Sequence, residues 1–279
     1  MKKAFLILFS VIALIGCNKE SNDIDMSASI KPKQVISEYE DDNYKNKVDT
    51  SFMFYNGNKI DSILNTNGKI TYEYSTNELI IKYYRKNDQI SWHYSKYLYD
   101  TNKRVIKVEF YLNVNSNYQV WVGPKIDSYK LESYYYKYEY LLDGSVKEQY
   151  LYTQSDENKL DYSIYKYDAN GNVVTKIRYR FTVDQYHIGS IDSMEYDNKN
   201  HYFRNVDIPT FASLLSKINN ITRIKSTRYN SSWDLINGFA YTGTNYIVTN
   251  QAYQYDNNGF PTTMNADGNS HYKSLIIKY

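Results

Sequence analysis

The sequence predicts an all-β protein whose main architectural unit is a long antiparallel up-and-down meander. Three observations lead to this prediction. Polar and apolar residues alternate over many short segments, short runs of Asn, Asp and Gly separate these segments, and tyrosine accounts for 34 of the 279 residues. Alternation with a period of two is typical of strands with one buried and one solvated face, and tyrosine favours strands.

The alternation is clearest in the segments 106–112, 134–140 and 176–183. In each segment one set of alternate positions is apolar or aromatic, and the other set is mainly charged. We expect the apolar set of the third segment to face the core, namely Ile177, Tyr179, Phe181 and Val183. The other set is then expected to face water, namely Lys176, Arg178, Arg180 and Thr182.

Short polar turns separate the predicted strands, because Asn, Asp and Gly tolerate the positive φ that tight hairpins require. These turns contain the pairs Asn56-Gly57, Asn67-Gly68, Asp143-Gly144, Asn170-Gly171, Asn258-Gly259 and Asp267-Gly268. Strands joined by so few residues must be antiparallel neighbours, since a parallel crossover needs a dozen residues or more.

One segment has a helical pattern. Pro209 stands at a favourable first-turn position, and apolar residues follow it at spacings of three, four and seven, namely Phe211, Leu214, Leu215 and Ile218. The sequence therefore predicts one short helix near 208–219, whose apolar stripe covers an open end of the sheet or barrel.

The first sixteen residues have the composition of a secretory leader. Lys2 and Lys3 precede a mostly apolar run that is too short to span a bilayer, which requires about 20 residues. The following residues, Leu14-Ile15-Gly16-Cys17, resemble the lipobox of bacterial lipoproteins. This resemblance implies a leader over 1–16 and a lipid on Cys17, the only cysteine of the chain, that attaches the protein to a membrane.

The mature chain divides into two parts. Residues 17–47 are rich in Asn, Ser, Asp, Glu and Lys and contain Pro32, which predicts a lipidated flexible tether. Residues 48–279 have a uniform texture and predict a single β domain. Loss of the leader leaves 31 basic and 31 acidic residues, so no positive field gathers phosphates. We expect a monomer without a nucleic-acid partner.

Three segments resemble the YD repeat of the Rhs and teneurin shells, a Tyr-x-Tyr-Asp-x-x-Gly-Asn hairpin. They are residues 165–173, residues 253–261 and, without the glycine, residues 97–105. These copies are too far apart for the tandem array of a YD shell. The chain is also similar to a group of uncharacterised lipoproteins of Gram-negative bacteria that carry such hairpins. That similarity implies a meander closed into a porin-like soluble barrel in the cell envelope, and it implies no activity.

No residue pattern predicts catalysis, a cofactor or a metal site. The sequence has four histidines, His93, His187, His201 and His271. No two of them lie at helix or strand-neighbour spacing with a carboxylate partner, and we expect ordinary strand or loop positions for them. The sequence has no nucleophile elbow, metalloprotease helix or phosphate loop. The tryptophans, Trp92, Trp121 and Trp233, are expected to pack, although a tryptophan beside tyrosines can also stack on a sugar ring.

These observations predict a non-catalytic, lipid-anchored envelope protein whose sheet surface or barrel mouth binds a glycan or a protein partner. Asn18 replaces the aspartate that retains many lipoproteins at the inner membrane, so we expect the outer membrane, at its periplasmic face or at the cell surface. Two alternatives stay open. One is a glycan-active enzyme with paired carboxylates. The other is a transmembrane β-barrel ending on Tyr279, although Lys273 shares the face of Tyr279 and a mid-bilayer lysine costs about 2–4 kcal/mol.

Overall fold

The computed structural model describes residues 30–40, 46–113, 129–152, 161–182, 185–206, 218–234, 238–267 and 272–279. These residues form 16 strands and no α-helix. Within them, no helix is long and apolar enough to cross a membrane. The strands are β1 Gln34–Glu40, β2 Asn46–Asn56, β3 Lys59–Asn65, β4 Gly68–Tyr74, β5 Glu78–Arg85, β6 His93–Tyr99, β7 Val105–Asn113, β8 Tyr129–Tyr140, β9 Val146–Tyr152, β10 Tyr162–Tyr167, β11 Val173–Thr182, β12 Gln185–Tyr196, β13 Ile221–Asp234, β14 Gly238–Tyr255, β15 Pro261–Ala266 and β16 Tyr272–Lys278.

The strands form one closed antiparallel barrel. Each strand pairs with its neighbours in the chain, and β1 pairs with β16 to complete the circle. At this seam Val35 lies opposite Ile277 on one side and opposite Ser51 of β2 on the other. The predicted all-β meander and its closure into a barrel are therefore confirmed.

The structure corrects the predicted start of the domain. Strand β1 lies within residues 17–47, which the composition predicted to be a flexible tether. Pro32 does not interrupt the fold, because it is buried just before β1 and its carbonyl accepts a 2.5 Å hydrogen bond from the Tyr55 hydroxyl. The polar composition of this segment is compatible with a strand because the barrel needs only one apolar face from it.

The predicted helix near 208–219 lies outside the described residues except for positions 218 and 219, which are not helical.

The inner wall of the barrel carries the main hydrophobic core. Ten buried residues of β5 to β12 form one cluster, and they alternate along their strands, namely Leu79, Ile81, Tyr97, Val105, Val108, Tyr138, Val146, Tyr165, Val173 and Met194. The opposite, outer wall carries ion pairs between neighbouring strands, such as Lys82 with Glu73 at 2.7 Å and Arg223 with Glu195 at 2.9 Å.

The predicted facing of 134–140 is correct, that of 106–112 is correct from Val108 onward, and that of the third segment is reversed. Ile106 lies at a register shift between β6 and β7 and is 38% exposed, while Val105 is buried in its place. Val108 and Tyr138 belong to the buried inner cluster, as the alternation in 106–112 and 134–140 predicted. In β11, however, Lys176 lies over the ring of the buried Tyr165, with its ammonium 5.1 Å from the ring centroid. The charged set of 176–183 therefore faces the interior.

The apolar set of β11 consequently lies on the outer wall of the barrel. There Ile177 is paired with Ile164 of β10 and Ile191 of β12, and Tyr179 is paired with Tyr162 and Ile188. Val183, the last member of the predicted set, lies outside the described residues. The prediction failed because alternation separates two faces of a strand without indicating which of them faces the core.

The two ends of the barrel differ. Every turn that follows an even-numbered strand lies at one end, which we call the turn end, and the first described residue, Ile30, and Tyr279 lie there too. The connections that follow odd-numbered strands lie at the opposite end, which we call the loop end. Residues 41–45, 114–128, 153–160, 183–184, 235–237 and 268–271 of those connections are not among the described residues.

A ring of tyrosines, which we call the tyrosine ring, lines the turn end. It takes one residue from the end of each even-numbered strand, namely Tyr55, Tyr74, Tyr99, Tyr140, Tyr167, Tyr196, Tyr255 and Tyr279. Several of their hydroxyls donate to a backbone carbonyl at the start of a neighbouring strand: Tyr140 to Val105 at 3.0 Å, Tyr196 to Val173 at 2.7 Å and Tyr279 to Pro261 at 2.9 Å. Burial raises the pKa of Tyr167 to about 12, so its phenol stays protonated at neutral pH.

Each of the three YD-like segments contains a turn of the same type, and all three turns lie at the turn end. In the turn after Tyr167, the Asp168 carboxylate accepts hydrogen bonds from the backbone N–H groups of Asn170 and Asn172, at 2.9 and 2.8 Å. The turns after Asp100 and Asp256 have the same bonds. In the copy without glycine, Lys103 adopts the left-handed conformation with φ 60°. The aspartate therefore fixes this turn even where the glycine is missing.

We predict that β1 is required for a stable barrel. A chain that begins at Val48 lacks β1 and leaves the ladder edges of β2 and β16 unpaired, so it should aggregate or melt at least about 10 °C below a chain that begins at Ile30, given about 2–4 °C per kcal/mol for a domain of this size. Circular dichroism during heating measures the difference. Equal melting temperatures for the two chains would show that the seam contributes nothing.

Candidate functional site

An aromatic surface lines the inner wall of the barrel toward the loop end. It consists of five residues of β7, β8 and β9 that we call the lumenal aromatic cluster: Phe110, Tyr134, Tyr136, Tyr150 and Tyr152. The Tyr134 and Tyr150 rings are stacked with centroids 5.0 Å apart, and Tyr150 meets Tyr152 edge-on at 5.5 Å. Such ring pairs form because cross-strand partners on one face of a sheet lie close together.

Strand register places these rings on the inner wall. Tyr136 lies opposite Val108 of β7 and opposite Tyr150 of β9, and Val108 belongs to the buried inner cluster. Phe110 and Tyr136 pack against that cluster. Further toward the loop end, Tyr152 remains 44% exposed although it shares this face. The aromatic surface thus begins on the core and ends in solvent.

A buried carboxylate supports the aromatic surface from the turn-end side. Glu148 of β9 is 9% exposed, and each of its carboxylate oxygens accepts one hydrogen bond of 2.9 Å, from the hydroxyls of Tyr138 and Tyr165. Burial raises the pKa of Tyr165, and the Glu148 charge raises it further, so this phenol remains a donor. The three side chains form one fixed unit across β8, β9 and β10.

Basic residues line the inner wall beside the aromatic cluster. They come from β11 and β13, and we call them the lumenal cation row: Lys176, Arg178, Arg180 and Arg228. Arg178 makes a 2.8 Å ion pair with Asp161. Arg180 lies against Gly189, where an added Cβ would stand 2.9 Å from the Arg180 Cγ. The absence of a side chain at Gly189 therefore leaves the wall free for Arg180.

The aromatic and the basic surfaces adjoin one another. Burial raises the pKa of Tyr136, the Glu148 carboxylate adds to this effect, and the Arg178 guanidinium opposes it. Strand register agrees with this, because Arg178 lies opposite Ser163 of β10, which lies opposite Glu148 of β9. One continuous lumenal surface consequently offers ring faces, hydroxyls and guanidinium groups, which is a combination suited to polar ligands with apolar faces.

The turn end of the barrel is covered by residues 197–206, which we call the cap segment. The Asp197 carboxylate accepts hydrogen bonds from the backbone N–H groups of Lys199 and Asn220 and from the Tyr255 hydroxyl. At the other end of the cap segment Val206 is buried, and the Asn205 amide donates to the Ile30 carbonyl at 2.9 Å. This segment ties β12 to the seam of the barrel.

The structure does not bring the histidines together. Burial lowers the pKa of His93 and of His201 to about 4, so both rings are neutral at neutral pH. His93 stacks on Tyr83 at 4.1 Å, and His201 belongs to the cap segment at the opposite end. His187 lies in β12, and His271 is outside the described residues.

The other residues singled out in the sequence are dispersed. The ring of Trp92 is contacted by the Arg85 guanidinium at 5.1 Å, and Trp233 lies in β13. Cys17 and Trp121 are outside the described residues. In the part of the chain that the structure describes, no group of three or more His, Cys, Asp or Glu side chains could hold a metal ion.

Most of the residues that form this surface were not predicted from the sequence. Residues 134–140 were predicted as a strand without a site, Glu148 was not predicted, and Arg178 and Arg180 were predicted on the solvated face. One usable signal was present: tyrosines fill alternate positions of both 134–140 and 150–152. Aromatic residues on one face of two adjacent strands predict a stacked surface.

We predict that Glu148→Leu destabilises the barrel by about 2 kcal/mol or more, because two buried hydroxyls lose their acceptor and each unsatisfied group costs about 1–3 kcal/mol. Urea unfolding measures this change. Adding Tyr138→Phe and Tyr165→Phe should recover much of the loss, since no unpaired donor remains. Glu139→Leu, on the outer wall of the neighbouring strand, serves as the control and should change stability by less than about 0.5 kcal/mol. Equal effects of the two leucine variants would refute the role of Glu148.

Comparison with known proteins supports the architecture. No family model and no curated protein matches this chain. Among solved structures, a porin-like protein from Bacteroides vulgatus ATCC 8482 is similar, with a TM-score of 0.50 and 13% sequence identity, and the match covers 90% of this chain and 98% of that one. At this identity the likeness concerns the fold alone, which in this chain is a closed antiparallel β-barrel.

Proposed function

We propose that this protein is a non-catalytic, lipid-anchored protein of the bacterial outer membrane whose barrel binds a glycan on its inner wall. The observation that carries the proposal is the lumenal aromatic cluster, which ends in solvent at Tyr152. A sugar ring has apolar C–H faces and polar edges, so stacked tyrosines beside charged groups provide both kinds of contact. A barrel of 16 strands also leaves a hydrated lumen that can hold such a ligand.

The charges of the outer wall favour a barrel surrounded by water. Ion pairs connect Lys96 with Glu78 at 2.8 Å and Arg223 with Glu195 at 2.9 Å, on strands from two separate parts of the circumference. In lipid, a lysine or arginine near the midplane costs about 2–4 kcal/mol. Exposed pairs of this kind are ordinary on a surface that faces water.

A transmembrane barrel is the second candidate, and one observation favours it. The outer wall of β10 to β12 carries an apolar row, Ile164, Ile177 and Ile191, while the same strands direct Lys176 and Arg178 inward. This polarity is the one expected of a wall that faces lipid.

A second apolar patch lies on the outer wall beside the seam, where Phe52, Leu64 and Ile276 are all exposed. Between these two sectors the outer wall carries charged residues, such as Lys69 of β4, Lys137 of β8 and Arg223 of β13.

The position of Ile30, the first described residue, supports an anchor at the turn end. Twelve residues, 18–29, lie between Cys17 and Ile30. A tether of this length, as the composition predicts, has a root-mean-square reach of about 20 Å. A lipid on Cys17 therefore holds the turn end toward the membrane and directs the loop end, with its aromatic surface, away from it.

The carboxylates of the inner wall favour binding over hydrolysis. Both oxygens of Glu148 hold tyrosine hydroxyls, and Asp161 holds Arg178 and the backbone N–H of Phe181. A paired-carboxylate hydrolase needs one acid free to protonate the leaving oxygen and a second free to act as base or nucleophile. Glu148 and Asp161 instead serve to fix the wall. A further inward-facing acid, Asp192, stands opposite Lys176 and has no second free carboxylate beside it among the described residues of the neighbouring strands.

We predict that Cys17→Ala, exported behind an ordinary cleavable leader in place of residues 1–16, moves the protein from the membrane fraction to the soluble fraction of broken cells. The barrel itself then has no means of attachment. The unaltered chain is the control, and protease treatment of intact cells reports whether it faces outward. Continued sedimentation of the Cys17→Ala protein with membranes would support the transmembrane alternative instead.

We also predict that the purified protein binds oligosaccharides on an array of bacterial envelope glycans, and that Tyr152→Ala weakens binding at least about tenfold, equivalent to about 1.4 kcal/mol. Tyr186→Ala is the matched control, because Tyr186 is similarly exposed at 41% but lies on the outer wall. Unfolding curves verify that both variants fold. Absence of glycan binding, or equal losses in both variants, would exclude the inner wall as the site.

A further inference from the structure

We propose that the ligand of the inner wall is an acidic oligosaccharide, whose rings lie on the lumenal aromatic cluster and whose carboxylates pair with Arg180 and Arg228. This inference rests on the proposed function and adds the charge and the functional group of the ligand. It follows from the lumenal cation row, which the core of the barrel does not require.

Three members of the cation row have no ion pair among the described residues. Arg178 is neutralised by Asp161 and Lys176 lies over the Tyr165 ring, whereas Arg180 and Arg228 are exposed and their register places them on the lumenal face. Strand β11 carries isoleucine and aromatic side chains on its outer face and cations on its inner face. The guanidinium groups therefore face the lumen, and the apolar side chains of the same strand are left on the outer wall of the barrel.

Strand register places the cations on both sides of β12. Arg178 of β11 lies opposite Ser190 of β12, which lies opposite Arg228 of β13, which in turn lies opposite Asn245 of β14. With strands about 4.8 Å apart, the α-carbons of Arg178 and Arg228 stand roughly 9–10 Å from one another, and Arg180 follows two positions along β11 on the same face. The acid of β12 on this face, Asp192, lies opposite Lys176, on the turn-end side of both Arg180 and Arg228.

The concave wall strengthens the attraction of these cations for an anion. Charges of one sign on the wall of a cleft concentrate the field within it. A guanidinium binds a carboxylate through two parallel hydrogen bonds, which makes arginine the preferred partner for that group. Gly189 leaves room for the Arg180 side chain to lie along the wall instead of across the lumen.

Aromatic and cationic contacts together favour a sugar acid over a simple anion. The cation row adjoins the aromatic cluster through β10, because Arg178 lies opposite Ser163, which lies opposite Glu148 of β9. The next inward position of β9 is Tyr150, which lies opposite Tyr136. An inorganic anion would use the arginines alone, and a neutral glycan would use the tyrosines alone. A carboxylated oligosaccharide uses both parts of the surface.

The test uses the full mature lipoprotein in detergent micelles with two probes, tetragalacturonate and its methyl ester, which share one skeleton and differ in charge. Calorimetry should show the acid binding at least about tenfold more tightly than the ester at roughly 50 mM NaCl, and this preference should shrink at roughly 300 mM NaCl. Arg180→Gln combined with Arg228→Gln should remove the preference and leave the affinity for the ester unchanged.

Matched controls separate the parts of the inference. Arg223→Gln combined with Lys225→Gln removes two cations from the outer face of β13 and should leave both affinities unchanged. Tyr152→Ala should weaken both probes alike. Equal binding of acid and ester by the unaltered protein overturns this inference and leaves the proposed function standing.

Two further outcomes also overturn the inference. One is failure of both probes to bind. The other is full displacement of the acid by inorganic phosphate combined with no effect of Tyr152→Ala, which identifies a simple anion site. Failure of every glycan on the array, by contrast, rejects the proposed function itself.

Discussion

Closure of the sheet between β1 and β16 is the constraint on which the rest of the molecule depends. An open sheet of 16 strands would expose two ladder edges and would have no inside, whereas closure pairs every strand on both sides. The strand that completes the circle comes from a polar segment next to the start of the described chain, and its partner is the last strand. Closure then dictates that every residue faces either the lumen or the surroundings.

A barrel of 16 strands is too wide for side chains to fill its lumen. Tyrosine is suited to a wall that is only partly covered by other side chains. At the turn end the ring tyrosines, such as Tyr196, cover the core with their rings and donate their hydroxyls to backbone carbonyls. At the loop end the same residue type presents stacked faces to solvent. A side chain with an apolar body and a polar tip can serve at both levels because it tolerates partial hydration. This explains why tyrosine, rather than phenylalanine, dominates the inner wall.

The reversed polarity of β11 connects the fold to the proposed function. A strand with isoleucine on its outer face and arginine on its inner face is unfavourable for a barrel in water unless the inward charges serve a purpose. The inner wall of the neighbouring strands is aromatic and satisfied by internal bonds, whereas Arg180 and Arg228 remain available in the lumen. A single binding surface from β7 to β13 explains both the aromatic part of the inner wall and its unpaired arginines.

The sequence by itself determined the all-β meander, the turn positions and the inward facing of 134–140, because strand periodicity and turn chemistry are local properties. It did not determine that residues 34–40 form a strand, since one of the two ladders that hold β1 pairs it with β16, more than 200 positions away along the chain. Nor could alternation decide that Arg178 faces inward, because both faces of a strand alternate equally and only closure defines the inside. Glu148, Tyr138 and Tyr165 became one unit only when the tertiary structure aligned three strands in register.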